Sequence, residues 1–153
     1  MEQQLPTVVI RHRRENLKKC SLRGLETRND IVFFTYPQHS IPLLDTYVLL
    51  DFEGDPLTNE DKGIIIIDGT WRLAGSIVKN TPSLHTIKKR SLPSQFQTAY
   101  PRRQEDCEDP SRGLASIEAI YIAHLIIGRS VDHLLDRYHW RDQFLAINRD
   151  LIN

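Results

Sequence analysis

Gly63-Ile64-Ile65-Ile66-Ile67-Asp68-Gly69-Thr70-Trp71 is the stretch on which the fold class turns. Four consecutive isoleucines cannot alternate between core and solvent, so the strand they form is covered on both faces. That is the pattern of an interior strand in a parallel or mixed α/β sheet. Gly63 opens it sharply and Asp68-Gly69 closes it. Ligands in open α/β sheets sit outside the carboxyl ends of the strands. Asp68 is therefore the first acidic residue to consider for chemistry. Nearby apolar groups would make it a general base, whereas loop amides would keep it a firm carboxylate or a simple turn residue. Gly69 lets backbone approach a ligand, Thr70 adds a hydroxyl, and Trp71 adds a stacking surface or completes the core.

Working outward, Thr7 to Ile10 reads as a short strand, Ile31 to Tyr36 as a stronger one closed by Pro37, and Thr46 to Phe52 as another. Gly54-Asp55-Pro56 has the composition of a turn, and Arg72 to Lys79 reads as a short helix weakened by Gly75. Pro82 to Pro110 reads as one long loop carrying four prolines, and a loop of that length in a compact domain usually has a task. Ser116 is placed to cap a nearly all-apolar helix from Ile117 to about Ile127, with Glu118 near its positive end and Gly128 beyond its last turn. A second short helix is expected over Val131 to Tyr138 and a third from near Arg141, with Phe144 and Asn148 among its inner positions.

Hydrophobic residues at 40% and charged residues at 26% describe an ordinary globule and exclude a disordered chain. Basic and acidic residues balance at 20 each, which argues against a bulk electrostatic binder of nucleic acid. The balance hides segregation. Arg11 to Arg28 holds seven basic and two acidic residues, Asp30 to Asp61 holds seven acidic and no basic, and Lys62 to Arg103 holds eight basic with Asp68 alone. Such blocks either solvate separate loops or build a basic surface from two segments, able to hold a phosphate backbone. Cys20 and Cys107 form no close redox or metal pair, the six histidines show no zinc spacing, and neither a phosphate loop nor a serine elbow occurs. No metal is expected. No apolar run is long enough for a bilayer, and Arg11, Arg13 and Arg14 follow an apolar stretch rather than precede one, so the expected compartment is the cytoplasm. His124, inside an apolar helix, reads as a satisfied core group rather than a base.

Five pieces in a fixed order carry a family resemblance: HRRENLKKCS at 12–21, IIIIDGTW at 64–71, SLPSQFQTAYPRRQ at 91–104, LASIEAIYIAHLIIGR at 114–129 and WRDQFLAINRDLI at 140–152. With these the chain resembles the DTW-domain superfamily, most of all the Tsr3-like branch of ribosomal RNA aminocarboxypropyltransferases. The resemblance implies an α/β, SPOUT-like fold with a C-terminal trefoil knot, an exception to ordinary chain topology. It divides the chain into a small N-terminal α/β portion, 1–62, and a cofactor-binding portion, 63–153, packed as one unit. The implied cofactor is S-adenosylmethionine, and the implied reaction transfers its 3-amino-3-carboxypropyl group to N3 of uridine or pseudouridine in RNA.

By the same resemblance Ser21 falls near the amino-acid end of the cofactor, Trp71 against it, and Leu92, Tyr100 and Leu114 around the adenine, with Ser116 and Glu118 beginning the following helix. Asp68 matches the acidic position that assists removal of the N3 proton. Lys18, Lys19, Arg72, Lys88, Lys89, Arg90 and Arg102 are assigned to RNA from charge. The expected partner is ribosomal RNA or a pre-ribosomal small subunit, and the family favours a monomer. Other members modify tRNA and carry an N-terminal cysteine cluster that this sequence lacks, which with FLAINRDLI favours the ribosomal branch. The Asp-Gly-Thr-Trp string and the Thr-Ala-Tyr loop sit closer to the broader pattern, so a tRNA uridine substrate stands as an alternative, beside a noncatalytic RNA-binding assembly factor.

Overall fold

The computed structural model describes residues 5–13, 22–37, 40–42, 44–69, 71–101 and 113–152, and for Trp71 and Arg72 the backbone alone. The isoleucine run, with Asp68, is strand β4, Ile64–Asp68. It lies between β1, Thr7–His12, and β3, Val48–Pro56, while β2, Ile31–Tyr36, and β5, Lys89–Ser91, form the two edges. The order is β2-β1-β4-β3-β5 and every pairing is parallel.

Both faces of β4 are covered, as the unbroken apolar run requires. Ile65 joins Val8, Ile10, Leu49 and Ile77 on one side, where helix α1, Trp71–Lys79, packs. Ile66 joins Val9, Leu22, Leu25, Ile117 and Ile120 on the other, beneath helix α2, Ser116–Ile127. The crossover from β1 to β2 thus runs over the α2 face, and the crossover from β4 to β5 over the α1 face. Leaving adjacent strands, the two connections move toward opposite edges of the sheet. The ends of β1 and β4 therefore form a topological switch point, where such sheets open a crevice.

Several elements differ from the sequence expectation. β3 starts two residues later than Thr46 and continues through Gly54-Asp55-Pro56, which is strand rather than turn. Its backbone pairs with β5 across a register break between Leu50 and Asp55, and main-chain pairing does not depend on side-chain polarity. Gly54 is required there, because a Cβ would lie 2.3 Å from the Lys89 carbonyl carbon. The expected loop from Pro82 thus contains β5 and a 3₁₀ turn at Pro82–Leu84. The helix expected over Val131 to Tyr138 is a series of tight turns instead. Amides there bond three residues back, Leu134 to Val131 and Tyr138 to Leu135, and His133 has φ 62°, which an α-helix does not accommodate. Two short helices close the described chain, α3 at Arg141–Ile147 and α4 at Arg149–Ile152.

The segregated charge blocks meet in space. Lys89 lies 3.7 Å from Asp51 and Arg90 lies 3.4 Å from Asp61, so the basic edge strand is balanced by the acidic strand beside it. Arg28 holds Asp30 through two bonds of 2.8 Å, and this bonding keeps the Asp30 carboxyl below its ordinary value of 3.8.

His124 is a core group, as its apolar helix suggested. Its Nδ1 lies 2.9 Å from the Ser130 carbonyl, which can only accept, so Nδ1 carries the proton and Nε2 accepts from the Thr7 hydroxyl at 2.7 Å. Burial lowers its pKa below the ordinary 6.5. The unfolded chain then takes up a proton near pH 6.5 that the native state refuses. The stability from neutral His124 is complete above that pH and is lost as pH falls toward the depressed native value. The unfolding free energy is expected to fall by at most about 1.4 kcal/mol per pH unit below pH 6.5. Urea titrations between pH 7.5 and 5 check this, and a His124→Gln variant should show a flatter profile. Asp30 acts in a separate window, losing its contribution only as pH falls below 3.8.

Candidate active site at the ends of β1 and β4

Arg11 and Asp68 stand in register at the C-terminal ends of adjacent parallel strands. Both are buried, at 7% and 4% exposure. The Arg11 Nε lies 3.8 Å from Asp68 Oδ2. The other carboxylate oxygen, Oδ1, accepts a 2.6 Å hydrogen bond from the Ser116 hydroxyl. Gly69 follows with φ 155°, a conformation that L side chains disfavour, so the chain turns away from the strand end immediately after the carboxylate. Three elements, β1, β4 and α2, thus converge on one acidic group.

Ser116 was expected to cap α2, but Ala115 occupies that position with extended backbone. The Ser116 side chain is diverted to Asp68. Glu118 serves the helix end instead, accepting from the Ala115 amide at 2.8 Å. It is wholly buried and gathers three further donors: the Thr98 hydroxyl at 2.6 Å, the Ala99 amide at 2.9 Å and the Tyr138 hydroxyl at 3.0 Å. Thr98 in turn accepts from the Tyr100 amide at 3.0 Å. Asn148 holds the same loop from the other side, receiving the Gln97 amide at 2.8 Å and donating to the Gln97 carbonyl at 2.9 Å. The polar loop around Tyr100 is therefore pinned to the first turn of α2 and to the C-terminal helices.

Among the expected site residues, Asp68 and Ser116 are in direct contact. Leu92, Tyr100 and Leu114 are each partly buried against the apolar cluster under α2. Tyr100 also meets the edge of Trp140, with ring centroids 5.1 Å apart. Trp71 and Arg72 open α1 directly after the strand-end turn, with side chains outside the description. Ser21, Lys18, Lys19 and Arg102 lie outside the described residues. Lys88, Lys89 and Arg90 lie at the β5 edge, away from the ends of β1 and β4, with Lys89 and Arg90 already paired to Asp51 and Asp61. An open cavity of about 220 Å³, lined by Arg23, Arg28, Arg137 and Ile117 among others, does not include Asp68. Among the described residues no group of three potential metal ligands occurs, and no helix is long and apolar enough to cross a membrane.

Arg11 is the site residue that sequence reasoning missed, because it was indistinguishable from its basic neighbours. Glu118 was noticed only for its place near a helix end. Both acquire meaning from contacts distant in sequence.

Residues 2–143 match the DTW domain. The chain belongs to the DTW domain family. Among solved structures it is similar to the SAM-dependent rRNA:acp-transferase Tsr3 from Vulcanisaeta distributa, with a TM-score of 0.68 at 22% identity over 97% of this chain and 82% of that one. No curated protein gives a significant match. A DTW-domain chain with the Tsr3 fold therefore carries a buried, hydroxyl-anchored carboxylate at the switch point of its sheet, beside a loop fastened by Glu118 and Asn148.

Proposed function

We propose that this DTW-domain protein is an RNA 3-amino-3-carboxypropyltransferase. It uses S-adenosylmethionine as donor and acts on N3 of a uridine or pseudouridine in small-subunit ribosomal RNA. The observation that carries this reading is the Asp68 carboxylate, fixed by Ser116 at 2.6 Å at the strand ends of a fold shared with an rRNA:acp-transferase. The residues expected from the family resemblance suit such a donor. Leu92, Tyr100 and Leu114 offer apolar and aromatic surface for the adenine, Trp71 adds a stacking ring at the strand-end turn, and Ser21 with Ser116 offers hydroxyls toward the amino-acid arm.

In the proposed step N3 attacks the Cγ carbon of the aminocarboxypropyl arm. The N3–Cγ bond forms as the Cγ–sulfonium bond breaks, the bonding pair passes to sulfur, and methylthioadenosine leaves. The N3 proton passes to Asp68. The sulfonium is already a strong leaving group, so the protein's main contribution is alignment of nucleophile and carbon. Lys18, Lys19, Arg72, Lys88, Lys89, Arg90 and Arg102 form the proposed RNA contacts, with Lys18 and Lys19 preceding Ser21 and Arg72 following the strand-end turn. The reading includes a SPOUT-like fold with a C-terminal trefoil knot, an N-terminal portion at 1–62 and a cofactor-binding portion at 63–153. It also includes a cytoplasmic, monomeric protein acting on the pre-ribosomal small subunit.

The Asp-Gly-Thr-Trp string at 68–71 favours one second reading, the same transfer to a tRNA uridine. Incubation of the purified protein with S-adenosylmethionine and separate rRNA and tRNA pools tests both, with nucleoside mass spectrometry as readout. Aminocarboxypropyl uridine or pseudouridine is expected in the rRNA pool. Its appearance in tRNA alone would transfer the activity to the second reading, and binding without turnover in either pool would leave an assembly factor.

A further inference from the structure

We propose that Arg11 is a positioning residue that holds Asp68 in its productive orientation. This rests on the reading of Asp68 as the proton acceptor. Arg11, next to last in β1, lies directly opposite Asp68 on β4, and the sheet register brings the two side chains together. Its guanidinium lies over the Phe33 ring, 4.6 Å from the centroid, so the neighbouring edge strand supports the cation from below. Its Nη1 lies 3.4 Å from Glu26 Oε1, and the second Glu26 oxygen accepts from the Gly24 amide at 2.9 Å.

The distances divide the work. The 3.4 and 3.8 Å separations to Glu26 and Asp68 exceed the roughly 2.7–2.9 Å of a tight charge-assisted bond. Ser116, at 2.6 Å, makes the short bond to Asp68. Ser116 fixes one oxygen through that bond. Arg11 supplies the opposing charge that fixes the direction of the other oxygen. With 7% of its surface exposed, Arg11 is poorly placed to serve as an RNA phosphate contact. Its position joins the segment following Ser21, through Gly24 and Glu26, to the acidic group on β4. A loop expected to meet the substrate and the residue expected to take its proton are thereby linked through one guanidinium.

A double-mutant cycle tests the proposal. Arg11→Met keeps the apolar stem over Phe33 and removes the charge. Its kcat is expected to fall about 10–100-fold, the scale of a misaligned reacting group, while KM for RNA and for S-adenosylmethionine moves less than about threefold. Arg11→Lys, which restores the charge without the planar fork and guards against misfolding of the first variant, is expected to recover part of the loss. In the Asp68→Asn background Arg11→Met should cost less than about twofold more, since a residue acting through Asp68 has nothing left to position. Equal losses from Arg11→Met in both backgrounds would overturn the proposal, as would Arg11→Met retaining the wild-type kcat while Asp68→Asn does not. A wild-type rate in Asp68→Asn itself would instead remove the reading of Asp68 as proton acceptor, and the positioning role with it.

Discussion

Asp68→Asn is expected to lower kcat for aminocarboxypropyl transfer by about 10²–10⁴-fold, the usual contribution of a positioned general base. The substitution is nearly isosteric, and an amide oxygen can still accept from the Ser116 hydroxyl, so the strand-end turn should keep its shape. What disappears is the charge facing Arg11 and the lone pair that would take the N3 proton. Because Glu26 also faces the guanidinium, the stability loss should stay near about 1–3 kcal/mol, below that of a wholly unpaired buried cation. Single-turnover rates under saturating donor and RNA separate the chemical step from binding. Donor affinity, measured by calorimetry, is expected to change little. A rate within twofold of wild type would show that the proton leaves by another route.

Glu118→Gln is expected to produce the largest loss of stability from a single conservative change. The native carboxylate accepts from Thr98, Ala99, Ala115 and Tyr138, with no exposed surface at all. An amide offers one accepting oxygen in place of two and turns an NH₂ group toward donors. Leaving one or two of these buried donors without an acceptor is expected to cost about 2–4 kcal/mol. For a domain of this size that corresponds to a melting temperature lower by roughly 5–15 °C. The negative charge near the N-terminus of α2 adds to the loss when removed. The loop carrying Thr98 and Tyr100 should loosen as well, which amide exchange at Ala99 and Tyr100 would report. An unchanged melting temperature would mean that the loop is held by Asn148 and apolar packing alone.

The two residues differ in how far the sequence revealed them. The place of Asp68 at the end of an interior strand was legible because a strand of four isoleucines must be covered on both faces. Ser116 was legible as belonging to the helix start, but its bond to Asp68 depends on α2 packing over β4. Arg11 became significant only through the register of β1 against β4, which no local pattern encodes. A short helix was expected over Val131 to Tyr138, yet Arg28 bonds the Asp132 carbonyl at 2.7 Å and His133 breaks the regular backbone. β5 was hidden because a short edge strand of Lys89, Arg90 and Ser91 carries no apolar alternation. Burial patterns are local and so could be read, whereas strand pairing and polar staples are long-range and could not.

The choice of transferred group is the central chemical claim, and donor labelling tests it most directly. Two samples of S-adenosylmethionine are prepared, one labelled in the methyl carbon and one in the carboxyl carbon, and each is incubated with the protein and small-subunit ribosomal RNA. Carboxyl label is expected in the RNA, with the methyl label released in methylthioadenosine. Methyl label in the RNA would contradict the proposed transfer, as would label from neither sample despite bound donor.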